Sequence, residues 1–253
     1  MHIEPRMFRF QKPVNWPHMP MFEKIGYYKT ILGPEYAPYV DKLSAKEKVR
    51  EACAEVQVAR IVRILDGPDD IHASDLNSLH LLKATAGCGW NIRLHPDLNV
   101  ETLKTQLAKW NVPYSNVERQ YTYITPRFFI EEIIDDVYTG VSAKAHVFMF
   151  RCIHGKPSTV GVQNTHGGRT VQNTYTTQFE LLETQKFPLE KPEQWTKMLE
   201  YAERLSAPFE FVRIDFYIGA DGHVYFSEYT FTPSGGNRVF SMKLEHEYGR
   251  LWK

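Results

Sequence analysis

The sequence predicts an α+β fold, and three observations carry that expectation. Helical and strand-like segments are mixed without a regular strand–helix–strand rhythm, so a doubly wound parallel sheet is not expected. Residues 144 to 180 read as a continuous β-rich stretch. Two long strand-like runs, 209–218 and 224–231, are joined by Asp221-Gly222, a strong two-residue hairpin signal.

Residues 1–40 are rich in Pro, Met and aromatic residues and lack clear periodicity, which predicts an irregular arm packed on the main body. Ser44 followed by Glu47 has the capping-box pattern, and Val49, Ala52, Cys53 and Val56 then recur at helical spacing. A strand near 60–65 precedes a polar connector, Asp66 to Ser78. His80 to Ala84 reads as a buried strand, Thr85 to Gly89 as a small Gly-rich loop, and Trp90 to Leu94 as a second strand. Leu103, Leu107 and Trp110 mark a helix from about Asn99 to Trp110, and Phe128 to Ile134 reads as a strand. VQNT occurs at Val162–Thr165 and Val171–Thr174, flanking Gly167-Gly168; this signals a hairpin, because two copies cannot build an array. Trp195, Met198, Leu199, Ala202 and Leu205 form one face of a helix over Lys191 to Leu205, and a short helix closes the chain near 242–251.

The 253 residues leave room for one large domain or two modest lobes, with 43% hydrophobic residues to build a core. Thirty basic residues balance thirty acidic ones. A neutral chain is a poor general binder of nucleic acid, whose affinity rests on many phosphate contacts. Cys53, Cys88 and Cys152 are far apart, which fits reduced thiols rather than a disulfide framework or a zinc site. No apolar run approaches the length of a membrane span and the N-terminus has no signal-peptide core, so the expectation is a soluble cytoplasmic protein of unknown oligomeric state.

The hairpin carries the chemistry. With Asp221 and Gly222 as the central residues of a type I′ turn, Ala220 faces His223, Tyr217 faces Phe226, Asp215 faces Glu228 and Arg213 faces Thr230. Val212, Ile214, Phe216 and Ile218 then form a core face, and Arg213, Asp215, Glu228 and Thr230 share the other. Two carboxylates opposed at ~5 Å repel by about 3 kcal/mol at an effective dielectric near 20. A hard cation such as Mg²⁺ relieves that repulsion and keeps positions open for phosphate oxygens; a solvated face with Arg213 neutralising one acid is the simpler alternative.

The segment VRIDFYIGADGHVYFSEYTFTPSGG resembles the metal-binding segment of ATP-grasp ligases, most closely the TupA-like branch associated with teichuronopeptide and other cell-surface polymer synthesis. Asp41 to Lys46, Leu81-Leu82-Lys83 with Gly87 to Ile92, and Phe129-Ile130-Glu131-Glu132 fit the same pattern in order, so the likeness covers most of 41–250. It implies an ATP-grasp fold of two α+β lobes gripping ATP, over 41–126 and 127–253, without a full N-terminal pre-grasp domain. Carried over, it implies that Lys83 holds the ATP phosphates and takes part in catalysis, with Lys42 as a second lysine. The Gly87-Cys88-Gly89 loop closes over the phosphates through its N–H groups, Cys88 being a size-tolerant substitution and not a nucleophile. Glu131 or Glu132, with Ile134, contributes to the adenine-binding hinge. Asp215, Glu228 and Thr230 bind Mg²⁺, one or two ions being left open, and Arg213 stabilises negative charge on the transferred phosphoryl group or the tetrahedral intermediate. The segment Pro233 to Asn237 follows the metal strand, where backbone N–H groups, those after the proline, could bind the activated carboxylate. The 163–174 hairpin with Arg169 is either a flap or a plain surface hairpin, and the role of Lys144 stays open. The activity so implied is ATP- and Mg²⁺-dependent ligation of a small-molecule or polysaccharide-precursor carboxylate to an amine. An ATP-grasp kinase acting on a hydroxyl and a degenerate nucleotide-binding module are the alternatives.

Overall fold

A computed structural model describes residues 8–115, 117–138, 144–166, 169–183 and 185–253, the side chains of Lys144, Ala145 and His166 excepted. In chain order the elements are α1 (Met21–Ile31), α2 (Ala37–Val40), α3 (Lys42–Ala52), β1 (Gln57–Val58), β2 (Ile61–Leu65), β3 (His80–Ala84), β4 (Asn91–Arg93), α4 (Val100–Trp110), β5 (Phe128–Glu132), β6 (Lys144–Ile153), β7 (Lys156–His166), β8 (Arg169–Thr176), α5 (Trp195–Ser206), β9 (Phe211–Ile218), β10 (Val224–Thr230) and α6 (Met242–Gly249). They fall into two compact α+β units. The larger comprises Met1–Ile31, Val49–Gln57 and Asp135–Lys253, the smaller Leu32–Lys48 and Val58–Ile134. The boundary differs from the expected 126/127 because β5 is hydrogen-bonded to β2 and β3, which keeps it in the smaller unit. No helix among the described residues is long and apolar enough to cross a membrane.

The smaller unit is built on a four-stranded antiparallel sheet of order β2-β5-β3-β4. Strand alternation turns Leu82, Ala84, Phe128 and Ile130 to one face, where they pack with Leu103, Leu107 and Trp110 of α4. Asn99 caps that helix by accepting from Thr102 N. The same alternation turns Lys83 and Glu131 to the opposite face. Helix α3 starts at Lys42, ahead of the Ser44–Glu47 box, because Asp41 Oδ1 accepts from Leu43 N and Ser44 N at 3.0 and 2.9 Å. A carboxylate there both satisfies free N–H groups and complements the helix dipole, so it outcompetes a serine hydroxyl.

The larger unit holds a six-stranded sheet of order β1-β10-β9-β6-β7-β8, with β10-β9, β9-β6, β6-β7 and β7-β8 all antiparallel. Phe148, Phe150, Val160, Val162, Val212, Ile214, Phe216 and Ile218 are fully buried on one face. Helix α5 packs against β6, β7 and β9, burying Trp195, Met198, Ala202 and Leu205. The two VQNT segments pair with each other, Gln163 opposite Gln172; Gly167 and Gly168 lie outside the described residues.

The N-terminal segment is more regular than its composition predicts. Met21, Lys24, Ile25 and Tyr28 form the buried stripe of α1, a helical spacing disguised by a lysine and by Gly26. Lys24 is buried because its Nζ donates to Gly249 O and Trp252 O at 2.7 and 2.6 Å, satisfying carbonyls at the end of α6. Burial, with the nearby Lys12, lowers its pKa to about 8. Trp252 stacks on Phe211 at 4.9 Å and meets Trp16 edge-on at 5.0 Å.

Candidate active site

The β9–β10 hairpin places Asp215 opposite Glu228 and Arg213 opposite Thr230, all four on the face turned away from the core row. The route to that register differs from the expected one. The turn is a three-residue loop, with Gly219 N bonded to His223 O at 2.9 Å and Gly222 N to Gly219 O at 2.8 Å. Only Gly222 (φ 78°) takes a left-handed conformation, so the turn is not type I′. Near the turn Tyr217 therefore pairs with Tyr225, not Phe226. A bulge between Phe226 and Glu228 then inserts one residue and restores the opposition of the two acids.

Arg213 organises the pair. Its Nε and Nη2 donate to Asp215 at 2.7 and 2.5 Å, and Nη2 reaches Glu228 Oε1 at 3.1 Å. Thr230 Oγ1 lies 3.1 Å from the same Glu228 oxygen. Asp215 is 2% exposed. Burial pushes its carboxyl up to about 6, with Arg213 pulling down and Glu228 adding to the rise. The simpler sequence alternative is thus partly realised, since an arginine bridges both acids. Among the described residues no group of three or more His, Cys, Asp or Glu side chains is arranged for a metal. The donor set is two carboxylates and a hydroxyl, all oxygen, which suits a hard cation that completes its shell with water or phosphate oxygens.

In the smaller unit Lys83 Nζ lies 2.9 Å from Glu131 Oε1, and Lys46 Nζ lies 2.9 Å from Glu131 Oε2. Glu131 is 3% exposed. Burial alone would raise its carboxyl, but Lys83 and Lys46 outweigh it and the net shift is downward. Lys42 Nζ donates to Gly87 O at 2.7 Å, and its backbone N to Thr85 O at 2.9 Å, tying the start of α3 to the Gly-rich loop. Gly87 (φ 96°) needs glycine twice over: a Cβ would also meet the Tyr114 ring at 2.7 Å. Cys88 is exposed and free.

Several expected roles change with this geometry. The Glu131 side chain is taken up by two lysines, so the contact with adenine or ribose expected of it is not open to its carboxylate. Glu132 points the other way, to Arg60, and Ile134 follows β5 half-buried at the end of the smaller unit. Gly235 N and Asn237 N are bonded to Thr232 O and Ser234 O, so those two N–H groups do not point at a substrate. Lys144 opens β6 opposite Thr165. Two residues escaped the sequence reading. Lys46 shares a helix face with Lys42 by its spacing of four, which could have flagged it. Arg151 is a lone charge inside the apolar run Val147 to Ile153, a second usable signal. It is 6% exposed. Burial, then the charge of Arg213, lowers its pKa to about 10. The surface clefts along α6, lined by Lys243, His246, Glu247 and Arg250, share no residue with either cluster.

The sheets and their connections define an ATP-grasp fold. The structure of PurK, N5-carboxyaminoimidazole ribonucleotide synthetase, in its ADP complex is similar at a TM-score of 0.51 and 13% identity, over 78% of this chain and 46% of that one. The chain therefore spans about half the length of that protein. The ATP-grasp ligase PsnB with its minimal precursor follows at a TM-score of 0.48 and 12% identity, over 87% of this chain and 64% of that one. D-alanine–D-alanine ligase from Bacillus anthracis with ATP gives 0.43 and 14%, over 76% and 53%. Curated proteins give no significant match. The chain belongs to the TupA-like ATP-grasp family, whose pattern matches residues 24–253.

Proposed function

We propose that the protein is an ATP- and Mg²⁺-dependent carboxylate–amine ligase. The observation that carries this reading is the opposition of Asp215 and Glu228 on one sheet face, bridged by Arg213. Asp215 and Glu228, with Thr230, would hold Mg²⁺, and the ATP it accompanies would supply the phosphoryl group that activates a carboxylate toward an amine. Lys83 offers an ammonium fixed in direction by Glu131, and a charge held in place stabilises developing phosphate charge without reorganisation. Glu131 serves to position Lys83 and Lys46, which leaves Ile134 and the backbone at Glu132 to meet the base and ribose. Lys42 holds the Gly87–Gly89 loop by its bond to Gly87 O, so the loop N–H groups can approach phosphate oxygens closely. Arg213 keeps a guanidinium beside the acids, where it can stabilise charge on the transferred group. Use of ATP suits a cytoplasmic reaction, and an amino acid joined to a cell-surface polysaccharide precursor or a peptide is the reaction class that TupA-like membership favours.

The test is a panel of amino acids and uronic acids incubated with Mg-ATP, reading phosphate release and product mass. Amide-bonded product and ADP formation that needs both an acid and an amine support the reading. ADP formation with a hydroxyl acceptor alone would turn it toward a kinase.

A further inference from the structure

Arg151 on β6 lies directly across the ladder from Arg213 on β9, and on its other side directly across from Thr159 on β7. Residues paired in this way share a face, so the row Thr230, Arg213, Arg151, Thr159 runs across four strands on the face that carries Asp215 and Glu228. Two guanidinium groups side by side repel unless each has its own negative partner. Arg213 has two. Among the described residues Arg151 is hydrogen-bonded to no carboxylate, because the acids around it are engaged elsewhere. Asp215 and Glu228 accept from Arg213. Glu245 accepts from Phe22 N, Val239 N and Phe240 N. The Phe240 ring, 4.7 Å from the Arg151 guanidinium, supplies a cation–π contact but neither a negative charge nor an in-plane acceptor for the fork.

Two residues paired in this row each carry a buried polar atom without a hydrogen-bond partner among the described residues: Arg151 Nη1 and Thr159 Oγ1. Arg151 is 6% exposed and Thr159 1%. Buried polar groups are normally satisfied, and a charged one most of all. Another donor would not help the arginine, and another cation would worsen the repulsion. An oxyanion answers both needs, because it accepts from the planar guanidinium fork and from a hydroxyl while supplying the missing negative charge. We propose that Arg151 and Thr159 form an oxyanion subsite beside the Arg213–Asp215–Glu228 cluster, taking a phosphate or carboxylate group of a reactant. The ligase reading enters only in naming the source of that anion: the terminal phosphoryl group of the nucleotide or the carboxylate to be activated.

The experiment is calorimetric titration of the full chain with inorganic phosphate, on the wild type and on the variants Arg151→Met, Arg151→Lys and Thr159→Val, with circular dichroism to check folding. Loss of a charged hydrogen bond predicts that Arg151→Met weakens phosphate binding by about tenfold or more. Arg151→Lys keeps the charge but not the fork and falls between wild type and Met. The near-isosteric Thr159→Val is expected to weaken binding by about threefold while keeping the fold, which preserves the test if Arg151→Met does not fold. Wild type that binds no phosphate, or folded variants that bind it as wild type does, overturns the proposal. Repeating the titration with a saturating non-hydrolysable ATP analogue or with ADP separates the sources. Phosphate excluded by the analogue but not by ADP identifies the nucleotide's terminal phosphoryl group. Phosphate that survives both and is displaced by malonate identifies a substrate carboxylate. Failure of wild type to bind Mg-ADP would count against the ligase reading and leave the phosphate result standing.

Discussion

In the smaller unit one carboxylate, Glu131, stands against two ammonium groups, Lys83 and Lys46. In the larger unit one guanidinium, Arg213, bridges two carboxylates, Asp215 and Glu228. Both acids at the centre of these clusters, Glu131 and Asp215, are almost wholly buried, yet their pKa values move in opposite directions. Burial raises each; the difference lies in the balance of charges around it. Two lysines around Glu131 more than offset desolvation, whereas around Asp215 the second acid, Glu228, adds to the rise and Arg213 with the nearby Arg151 does not cancel it. The first cluster carries surplus positive charge and suits an anion such as a phosphate. The second, as hydrogen-bonded, carries surplus negative charge and suits a cation. The lesson is that burial of an ion pair says little about chemistry until the charges of each sign are counted.

The largest expected effect tests the acid-rich cluster. Asp215→Asn keeps shape and removes charge, and Mg²⁺-dependent ADP formation should fall by about a thousandfold or more, as expected when a group acting on transition-state charge is lost. Circular dichroism should show the fold retained. Unchanged turnover would remove Asp215 from the machinery and the surplus-negative description with it.

Next comes the lysine-rich cluster. Glu131→Gln leaves the buried Lys46 and part-buried Lys83 ammonium groups without their shared counter-charge, which should cost about 3 kcal/mol in urea unfolding. A loss under 1 kcal/mol would mean that water, rather than Glu131, compensates the lysines. The pH dependence sharpens this. The folded pKa of Glu131 lies below its ordinary 4.5. Its stabilising contribution is therefore present above that value and lost as pH falls through the lower folded value. The stability gap between wild type and Glu131→Gln should shrink in acid and stay constant toward neutrality, as urea midpoints measured across the acid range would show.

Smaller effects separate the two faces of the Gly-rich loop. Gly87→Ala combines a left-handed backbone with a clash on Tyr114 and should cost about 2 kcal/mol in urea unfolding, together with weaker ADP binding by calorimetry. The exposed neighbour Cys88 makes no such demand, and Cys88→Ser should stay within about 0.5 kcal/mol of wild type in the same assays. A large activity loss for Cys88→Ser would show that the thiol does chemistry after all.

The hairpin shows how far sequence reasoning reaches. The opposition of Asp215 and Glu228 was legible, because strand alternation and an Asp-Gly turn confine the register to few choices. Its details were not: the expected turn has two left-handed residues, the observed one has only Gly222, and a bulge before Glu228 cancels the resulting one-residue slip. Bulges depend on how the whole ladder twists and packs, and no local residue pattern announces this one. The N-terminal helix was hidden for a related reason. A buried lysine breaks an apolar stripe, and partners distant in the chain, the carbonyls of Gly249 and Trp252, make that burial tolerable.

By itself the sequence determined what local periodicity and short-range chemistry control: the order of most strands and helices beyond residue 40, the α+β class, the place of the β9–β10 turn and the residues sharing a strand face. Tertiary structure alone decided which charges meet. Lys46 reaches Glu131 across 85 positions of chain, and Arg151 comes to lie between Arg213 and Thr159 only when three strands pair. Electrostatic partnership depends on distances of a few ångströms through the fold, and sequence separation carries almost no information about those distances.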